Sequence, residues 1–344
     1  MTKYLNGVIS MVTLLLNLIF SISLSAQEAL PEKPPVPDNN PMTKEKIELG
    51  KQLYFDPRLS TDGTISCNSC HNVMAGGDDQ RPFSAGVSGK LGGRSAPTVW
   101  NSAFLSVQFW DGRAKSLEEQ AKGPLTNPVE MAMDNHKVVI DRIKQIPGYI
   151  EQFKNVFKTK KINIDHVAQA IATYERTLIT PNSKFDKYIK GNKKIFNAQE
   201  KRGFETFKEV GCNSCHNGVN FAGPTLPEGT GFYMKFPTFA NAKIEKKYNF
   251  QKDKGRFEVT KQEADMYMFR VPTLRNIAVT APYFHNGAVK TLDEAVRVMG
   301  KLQLNKDLTK KQVQDIVVFL NTLTGEFPEQ TMPRLPQTKN KSFF

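Results

Sequence analysis

The chain has 344 residues and a formal net charge of +13, because 47 Lys and Arg residues stand against 34 Asp and Glu residues. This length accommodates about two domains at ~150 residues each. A basic chain is compatible with nucleic-acid binding, but no block of Lys and Arg interleaved with aromatic residues occurs in the sequence. We therefore expect no nucleic-acid partner and interpret the charge as a solvated basic surface.

The first 26 residues are typical of a secretory signal peptide. Lys3 precedes an apolar run over residues 8–24, and small residues at 23, 25 and 26 suit cleavage before Gln27. A retained membrane anchor is the alternative, but the run is short for a membrane span and Asn17 interrupts it. We predict an exported protein with no stable membrane insertion once the signal has been removed.

The mature chain begins with a proline-rich segment followed by a helix. Residues 27–41 contain five prolines, which predicts an extended linker. Thr43 is expected to cap a helix whose inner face carries Ile47, Leu53 and Tyr54.

The stretch Cys-Asn-Ser-Cys-His-Asn occurs twice, at 67–72 and at 212–217. C-x-x-C-H is the attachment signature of a c-type haem, in which the thiols add to the vinyl groups and the histidine ligates the iron. A zinc ribbon would separate its C-x-x-C pairs by about 15–20 residues, whereas 145 residues (212 − 67) separate these two. A disulfide or a redox dithiol does not explain the histidines. The sequence predicts two covalent haem c groups, held by Cys67, Cys70 and His71 and by Cys212, Cys215 and His216.

The remaining segments predict further helices joined by irregular chain. Residues 75–95, rich in Gly and Ser, predict a long loop of a kind that is usually functional. Apolar periodicity predicts helices over 138–157, 166–178 and 312–323, and Asn197 with Glu200 forms a helix-start signature. Residues 224–262 predict an irregular segment with short strands, and the Pro-rich tail at 327–344 is expected to lie along the surface.

The two halves of the chain repeat beyond the haem motifs at a constant offset of 175 residues (272 − 97). Ser116 with Glu119, and Thr291 with Glu294, have the spacing of a capping box. The matching segments are 97–101 with 272–276, 109–112 with 284–287, and 115–119 with 290–294. We therefore predict a mainly α fold of two duplicated cytochrome c-like domains, at 42–195 and 196–326. The second half carries 30 extra residues (175 − 145) after its haem motif.

The position that could supply a sixth iron ligand differs between the halves. The helix after Thr291, which we expect to end at Gly300, carries Met299 on its apolar face. Met299 is a candidate ligand of the second iron, with a core methionine as the alternative. The offset places Pro124 at the matching position, and proline cannot ligate iron. We predict an open or water-capped first iron and a His216/Met299 second iron, a pairing that suits electron transfer.

Few other side chains are available to close the first iron. No histidine lies between His71 and His136, and both His136 and His166 are expected at the surface or at helix caps. Met74, Lys90 and Met131 stay open as alternative ligands.

Chemistry at an open iron needs a group that moves protons. Bound peroxide must lose a proton from its near oxygen and gain one on its far oxygen, and one carboxylate can do both. Glu130 is the candidate acid and base, with an ordinary exposed carboxylate as the alternative. Gln120, expected at the end of the first-half helix, is a candidate hydrogen-bond donor. Trp110 is a candidate redox bridge, although a lone aromatic residue is more often part of a core.

The sequence resembles those of the bacterial dihaem cytochrome c peroxidases over nearly the whole mature chain. The most specific segments are 108–114, 120–124, 128–131, 282–287 and 294–300. The resemblance implies that the N-terminal haem is a low-potential peroxide site and that electrons enter at the C-terminal His/Met haem. It implies that Glu130 and Gln120 form the distal catalytic pair, that Trp110 lies between the haems, that Met299 ligates the second iron and that His285 is a haem-binding residue.

The resemblance also implies a calcium ion between the domains, held partly by the carbonyls of Thr280 and Pro282. Two residues depart from the family pattern. Val87 stands where a removable distal histidine usually lies, and Ser95 stands where an asparagine usually helps to hold the calcium. The enzyme that matures the tryptophan-derived quinone of methylamine dehydrogenase is a relative that carries Tyr at the position of Met299.

We predict a periplasmic peroxidase that reduces hydrogen peroxide to water with electrons from a small cytochrome c or cupredoxin. A homodimer is left open. One rival is a dihaem oxidase that modifies a protein or an organic substrate, and another is a dihaem cytochrome that only carries electrons. Glu130 and Pro124 argue against the plain carrier, and Met299 argues against the protein modifier.

Overall fold

A computed structural model describes residues 27–159, 161–339 and 342–344, so the predicted signal peptide at 1–26 lies outside the described residues. Within those ranges the chain is mainly helical, as predicted. The helices are α1 (Lys44–Phe55), α2 (Cys67–Cys70), α3 (Leu117–Thr126), α4 (His136–Lys144), α5 (Pro147–Phe157), α6 (Ile164–Glu175), α7 (Lys184–Ile189), α8 (Ala198–Val210), α9 (Ala242–Tyr248), α10 (Phe257–Thr260), α11 (Leu292–Leu304) and α12 (Lys310–Asn321). Strands β1 (Tyr233–Lys235) and β2 (Met268–Arg270) pair antiparallel, with Met234 opposite Phe269. In the described part of the chain no helix has both the length and the apolar character needed to cross a membrane.

The first half is built on the crossing of α1 and α6. Thr43 caps α1 as predicted, since its side chain accepts a hydrogen bond from the amide of Lys46. The helices touch at Gly50, where a Cβ atom would lie only 1.9 Å from the carbonyl oxygen of Ala170. The buried residues Leu53 and Tyr54 extend this core towards α2 and its cysteines.

The second half repeats the arrangement with α8 and α12. The predicted capping box of Asn197 and Glu200 starts α8. At Gly203 a Cβ atom would lie 2.0 Å from the carbonyl oxygen of Asp315. Phe185, on α7, packs into this second core, so the chain enters the second half before the second haem motif.

Backbone conformation confirms the duplication at the offset of 175. Asn101 and Asn276 are both left-handed, with φ of 63° and 60°. Each precedes a short 3₁₀ turn. The isolated bridges Gln108–Ala114 and Tyr283–Val289 occupy matching positions. The two repeats meet at the Thr180 hydroxyl, which accepts hydrogen bonds from the side-chain amides of Asn101 (2.8 Å) and Asn276 (2.9 Å).

Three helix predictions were wrong in their bounds. The helix predicted over 138–157 is two helices, because Pro147 starts α5 and disfavours helical geometry at the preceding residue. Helix α11 does not end at Gly300 but continues to Leu304, where the left-handed Asn305 ends it. Helix α3 includes Pro124 and continues to Thr126, so Gln120 lies inside the helix and not at its end.

The two predicted capping boxes at α3 and α11 are only half formed. Ser116 accepts from the amide of Glu119 at 3.1 Å, and Thr291 accepts from that of Glu294 at 3.4 Å. The carboxylates do not return the bond to the capping residue. That of Glu119 accepts from the amide of Lys115, and that of Glu294 accepts from the Tyr248 hydroxyl.

The irregular segments largely have the structure that was predicted from the sequence. Residues 75–95 form a loop with a single 3₁₀ turn, Val87–Gly89. Residues 224–262 contain the short strand β1 as predicted, together with α9 and α10, which were not predicted. The tail lies along the surface of the first half, where Phe327 packs edge-on against Trp100 and the Pro336 carbonyl accepts from Arg58.

Candidate active site

A cavity of about 1030 Å³ lies beside the first C-x-x-C-H motif and is lined by Cys67, Cys70 and His71. We call it the first cavity. Nδ1 of His71 lies 2.9 Å from the carbonyl oxygen of Pro97, which leaves Nε2 as the nitrogen free to ligate a metal. Burial lowers the pKa of His71, so the imidazole is neutral, the form that binds iron.

A second cavity, of about 230 Å³, is lined by Cys212, Cys215 and His216. Nδ1 of His216 lies 3.0 Å from the carbonyl oxygen of Phe221, and burial lowers the pKa of this histidine as well. Met299 lines the same cavity from α11. The second cavity thus brings together the histidine and the thioether that the sequence predicts as an axial pair.

In the described part of the chain, none of the four cysteines forms a disulfide. Burial raises the pKa of Cys70 to about 11 and that of Cys212 to about 12, and it also raises the pKa of Cys67 and Cys215. Redox dithiols and metal thiolates need a lowered thiol pKa, and the described residues contain no cluster of three or more metal-binding side chains. Neutral thiols beside a histidine on the wall of a cavity fit a haem group attached through thioether bonds.

The first cavity also carries the predicted catalytic pair. Glu130, Gln120 and Pro124 all line it. The carboxylate of Glu130 accepts a 2.8 Å hydrogen bond from the amide of Asn127. Burial raises the pKa of Glu130, opposed by the charge of Arg113 and by that hydrogen bond. Glu130 therefore faces a cavity and is not an ordinary surface carboxylate, and its raised pKa suits an acid and base.

The loop in which Val87 stands in place of the usual distal histidine is hydrogen-bonded to the backbone of Glu130. The Val87 amide donates a 2.9 Å hydrogen bond to the Glu130 carbonyl. Of the alternative ligands, Met74 is 52% exposed and Lys90 reaches the Pro128 carbonyl, and neither lines the cavity. Met131 is buried and does line it. Met131 is therefore the alternative ligand best placed to reach the first iron.

His136 and His166 lie away from both cavities. Nε2 of His136 is 3.0 Å from the carbonyl oxygen of Lys122, and the ring of His166 stacks on Phe157 at 4.5 Å. Neither residue lines the first or the second cavity.

Trp110, Ser95 and His285 line both cavities. Trp110 Nε1 donates to the Ser95 carbonyl at 2.9 Å, and the Ser95 amide donates to the His285 carbonyl at 2.7 Å. Burial lowers the pKa of His285 to about 4, its Nε2 lies 3.1 Å from the Phe250 carbonyl, and its ring stacks on Phe269. The three residues form a hydrogen-bonded partition between the cavities.

The residues predicted to hold calcium line the second cavity, and one of them, Ser95, belongs to the partition. Ser95, Thr280 and Pro282 all line the second cavity. Ca²⁺ prefers carboxylate and carbonyl oxygens, and the Ser95 hydroxyl is 3.3 Å from the carbonyl oxygen of Arg81. The position fits an ion bound largely by backbone oxygens.

The sequence interpretation missed Glu175. This residue lines the first cavity and is buried, and in the described part of the chain its Oε2 has no hydrogen-bond partner. Burial raises its pKa to about 8, so it holds a proton near neutral pH. Its position four residues after Ile171, on the buried face of α6, was the available signal.

Comparison with known proteins finds a matching family, similar sequences and a similar crystal structure. A family profile described as di-haem cytochrome c peroxidase matches residues 44–194. The chain is 44% identical to cytochrome c551 peroxidase of Nitrosomonas europaea, covering 96% of this chain and 95% of the relative. It is 43% identical to cytochrome c551 peroxidase of Pseudomonas aeruginosa over 93% of each chain. A crystal structure of a MauG-like protein associated with microbial copper homeostasis matches with a TM-score of 0.75 and 28% identity, covering 86% of this chain and 95% of that one.

Proposed function

Because the chain belongs to the di-haem cytochrome c peroxidase family, we propose that it reduces hydrogen peroxide to water in the first cavity. One observation carries this proposal. The first cavity combines His71 with Glu130 and with Pro124, which cannot ligate iron, whereas the second combines His216 with Met299. One site is arranged for reaction and the other for electron transfer.

We propose that each cavity holds one covalent haem c, bound through Cys67, Cys70 and His71 or through Cys212, Cys215 and His216. When bound, the first haem supplies the iron at which peroxide is reduced. Glu130 takes the proton from the near oxygen of peroxide and returns it to the far oxygen, and Gln120 holds the substrate by a hydrogen bond. The hydrogen bond from Asn127 orients the carboxylate.

Electrons are proposed to enter at the His216/Met299 site, because Met/His ligation raises the reduction potential, and to pass by way of Trp110 to the first site. The donor is a small periplasmic cytochrome c or cupredoxin. An acidic surface on that donor would complement the net charge of the mature chain, which is +12 (13 − 1) because Lys3 is removed with the signal peptide.

We also propose a location, domain bounds and a bound ion for this enzyme. The enzyme acts in the periplasm after signal cleavage, and its two domains are those at 42–195 and 196–326. One calcium ion lies at Ser95, Thr280 and Pro282. A homodimer stays open to measurement in solution.

Peroxide turnover with a reduced small cytochrome c as donor tests the proposal. Loss of the proton shuttle in Glu130→Gln should lower kcat by about 10²–10⁴-fold. Glu151→Gln is the matched control, because Glu151 is exposed on α5 and its variant should retain wild-type turnover. Absence of turnover in the wild-type enzyme, or an unchanged kcat in Glu130→Gln, would contradict the proposed chemistry.

A further inference from the structure

A buried carboxylate without a partner lies next to the partition between the cavities. Asp78 is only 4% exposed, and its Oδ1 has no hydrogen-bond partner in the described ranges of the chain. A buried carboxylate is unfavourable unless a cation compensates for its charge, and no protein cation does so in the described residues.

The oxygen atoms around Asp78 come from both halves of the chain. Asp78 lines the second cavity together with Ser95, Thr280 and Pro282. A Cβ atom at Gly76 would lie 2.9 Å from Oδ1 of Asp78 and 2.4 Å from the Val279 carbonyl oxygen. These two oxygens, one from each half, therefore approach the same point.

We propose that Asp78 supplies the charged ligand of a calcium ion at this position, and that Ser95, Thr280 and Pro282 supply neutral oxygens. The proposal rests on the calcium ion of the proposed function but not on the peroxide chemistry. Ca²⁺ binds carboxylate and carbonyl oxygens, and its affinity depends on ligand charge. Ser95 offers only a hydroxyl, which donates to Arg81, so the carboxylate of Asp78 takes over the role of the strong side-chain ligand.

A carboxylate ligand would link the two halves of the molecule. Asp78 belongs to the loop after the first haem motif, whereas Thr280 and Pro282 precede α11 in the second half. Ser95 also accepts from Trp110 and donates to His285 through its backbone. Calcium held by Asp78 would therefore fix the partition that separates the cavities.

Calcium titration of the haem-loaded protein after treatment with EGTA tests the proposal, by calorimetry and by thermal unfolding. The wild type should bind one Ca²⁺ per chain and unfold at a higher temperature when calcium is present. Asp78→Asn should bind Ca²⁺ on the order of tenfold more weakly or worse, because the ligand charge is lost. In EGTA the same variant should be at least as stable as the wild type, because it no longer buries an uncompensated charge.

Asp134→Asn is the control, since it removes an identical charge at an exposed position that does not line the second cavity and should keep wild-type calcium affinity. If Asp78→Asn fails to incorporate haem, Asp78→Ser replaces it in the same measurements. A wild type that binds no calcium, or an Asp78 variant that binds it as tightly as the wild type, overturns the proposal. Peroxide turnover of the same samples separates the two hypotheses: turnover without Asp78-dependent calcium binding refutes this inference alone, whereas such binding without turnover refutes only the peroxidase function.

Discussion

Two positions, Pro124 and Met299, distinguish cavities whose haem-attachment motifs are identical in sequence. Each lies eight residues after the residue that caps its helix, Ser116 for α3 and Thr291 for α11. Each also lines the cavity of its own half. A pyrrolidine ring has no lone pair to give to iron, whereas a thioether does. The difference in proposed chemistry between the halves therefore depends on the side chain at one repeated position.

Met299→His should lower the reduction potential of the second haem, because thioether ligation favours the ferrous state. We expect a decrease on the order of 0.1–0.3 V, within the ~0.8 V range that axial ligands cover. Redox titration of the α-band measures it. Met234→Leu is the control, since Met234 lines the same cavity from β1 and its loss should leave the potential nearly unchanged. An unaltered potential in Met299→His would make Met299 a core residue.

The site could be predicted where a repeat or a motif marked it, and not where burial alone creates it. Gln120, Glu130 and Met299 were identified from sequence and line the cavities. Glu175 and Asp78 were missed, because a lone acidic residue in a sequence is normally expected at the surface. Only the packing of distant segments buries them, and neither periodicity nor spacing encodes that packing.

The element that supports each cavity is a pair of crossed helices in van der Waals contact. The α1–α6 crossing has Gly50 against Ala170, and the α8–α12 crossing has Gly203 against Asp315. One helix of each crossing, α1 or α8, contacts the segment that carries the C-x-x-C-H motif of its half. Close backbone contact at one glycine therefore helps to set the position of the haem-attachment motif in each half.

Gly50→Ala should destabilise the protein by about 1–3 kcal/mol, because the added methyl group overlaps the Ala170 carbonyl and the helices must separate. Denaturant unfolding followed at the Soret band measures the loss. Glu48→Ala, on the exposed face of the same helix, should change stability by no more than about 0.5 kcal/mol. Equal stability of Gly50→Ala and the wild type would show that the crossing is looser than described.

Apolar periodicity predicted where most of the longer helices lie, but it did not predict several of the residues at which helices begin or end. The break before Pro147 could have been predicted from the sequence, because proline disfavours a helical conformation in the residue before it. The end of α11 was not, because Gly300 tolerates a helix interior and Asn305 is the residue that adopts the left-handed conformation. Helix α9 was missed because its seven residues are too few to show a period.

At the scale of the whole molecule, the two halves share one partition and are tied together at other places. Trp110, Ser95 and His285 separate the cavities and line both. Thr180 joins the repeated asparagines of the two halves, and the tail returns from the second half to pack on the first. The two cavities thus share a wall that contains residues of both halves.

The fully oxidised protein, mixed with hydrogen peroxide in a stopped-flow spectrometer, tests most directly whether the first iron is open. Val87 has no lone pair, and Pro124 occupies the position that matches Met299. We therefore predict that the Soret band changes at once, without prior reduction, and that Glu130→Gln slows the change. Two low-spin haems in the oxidised protein, with reaction only after one-electron reduction, would contradict the open iron and would indicate Met131 as its sixth ligand.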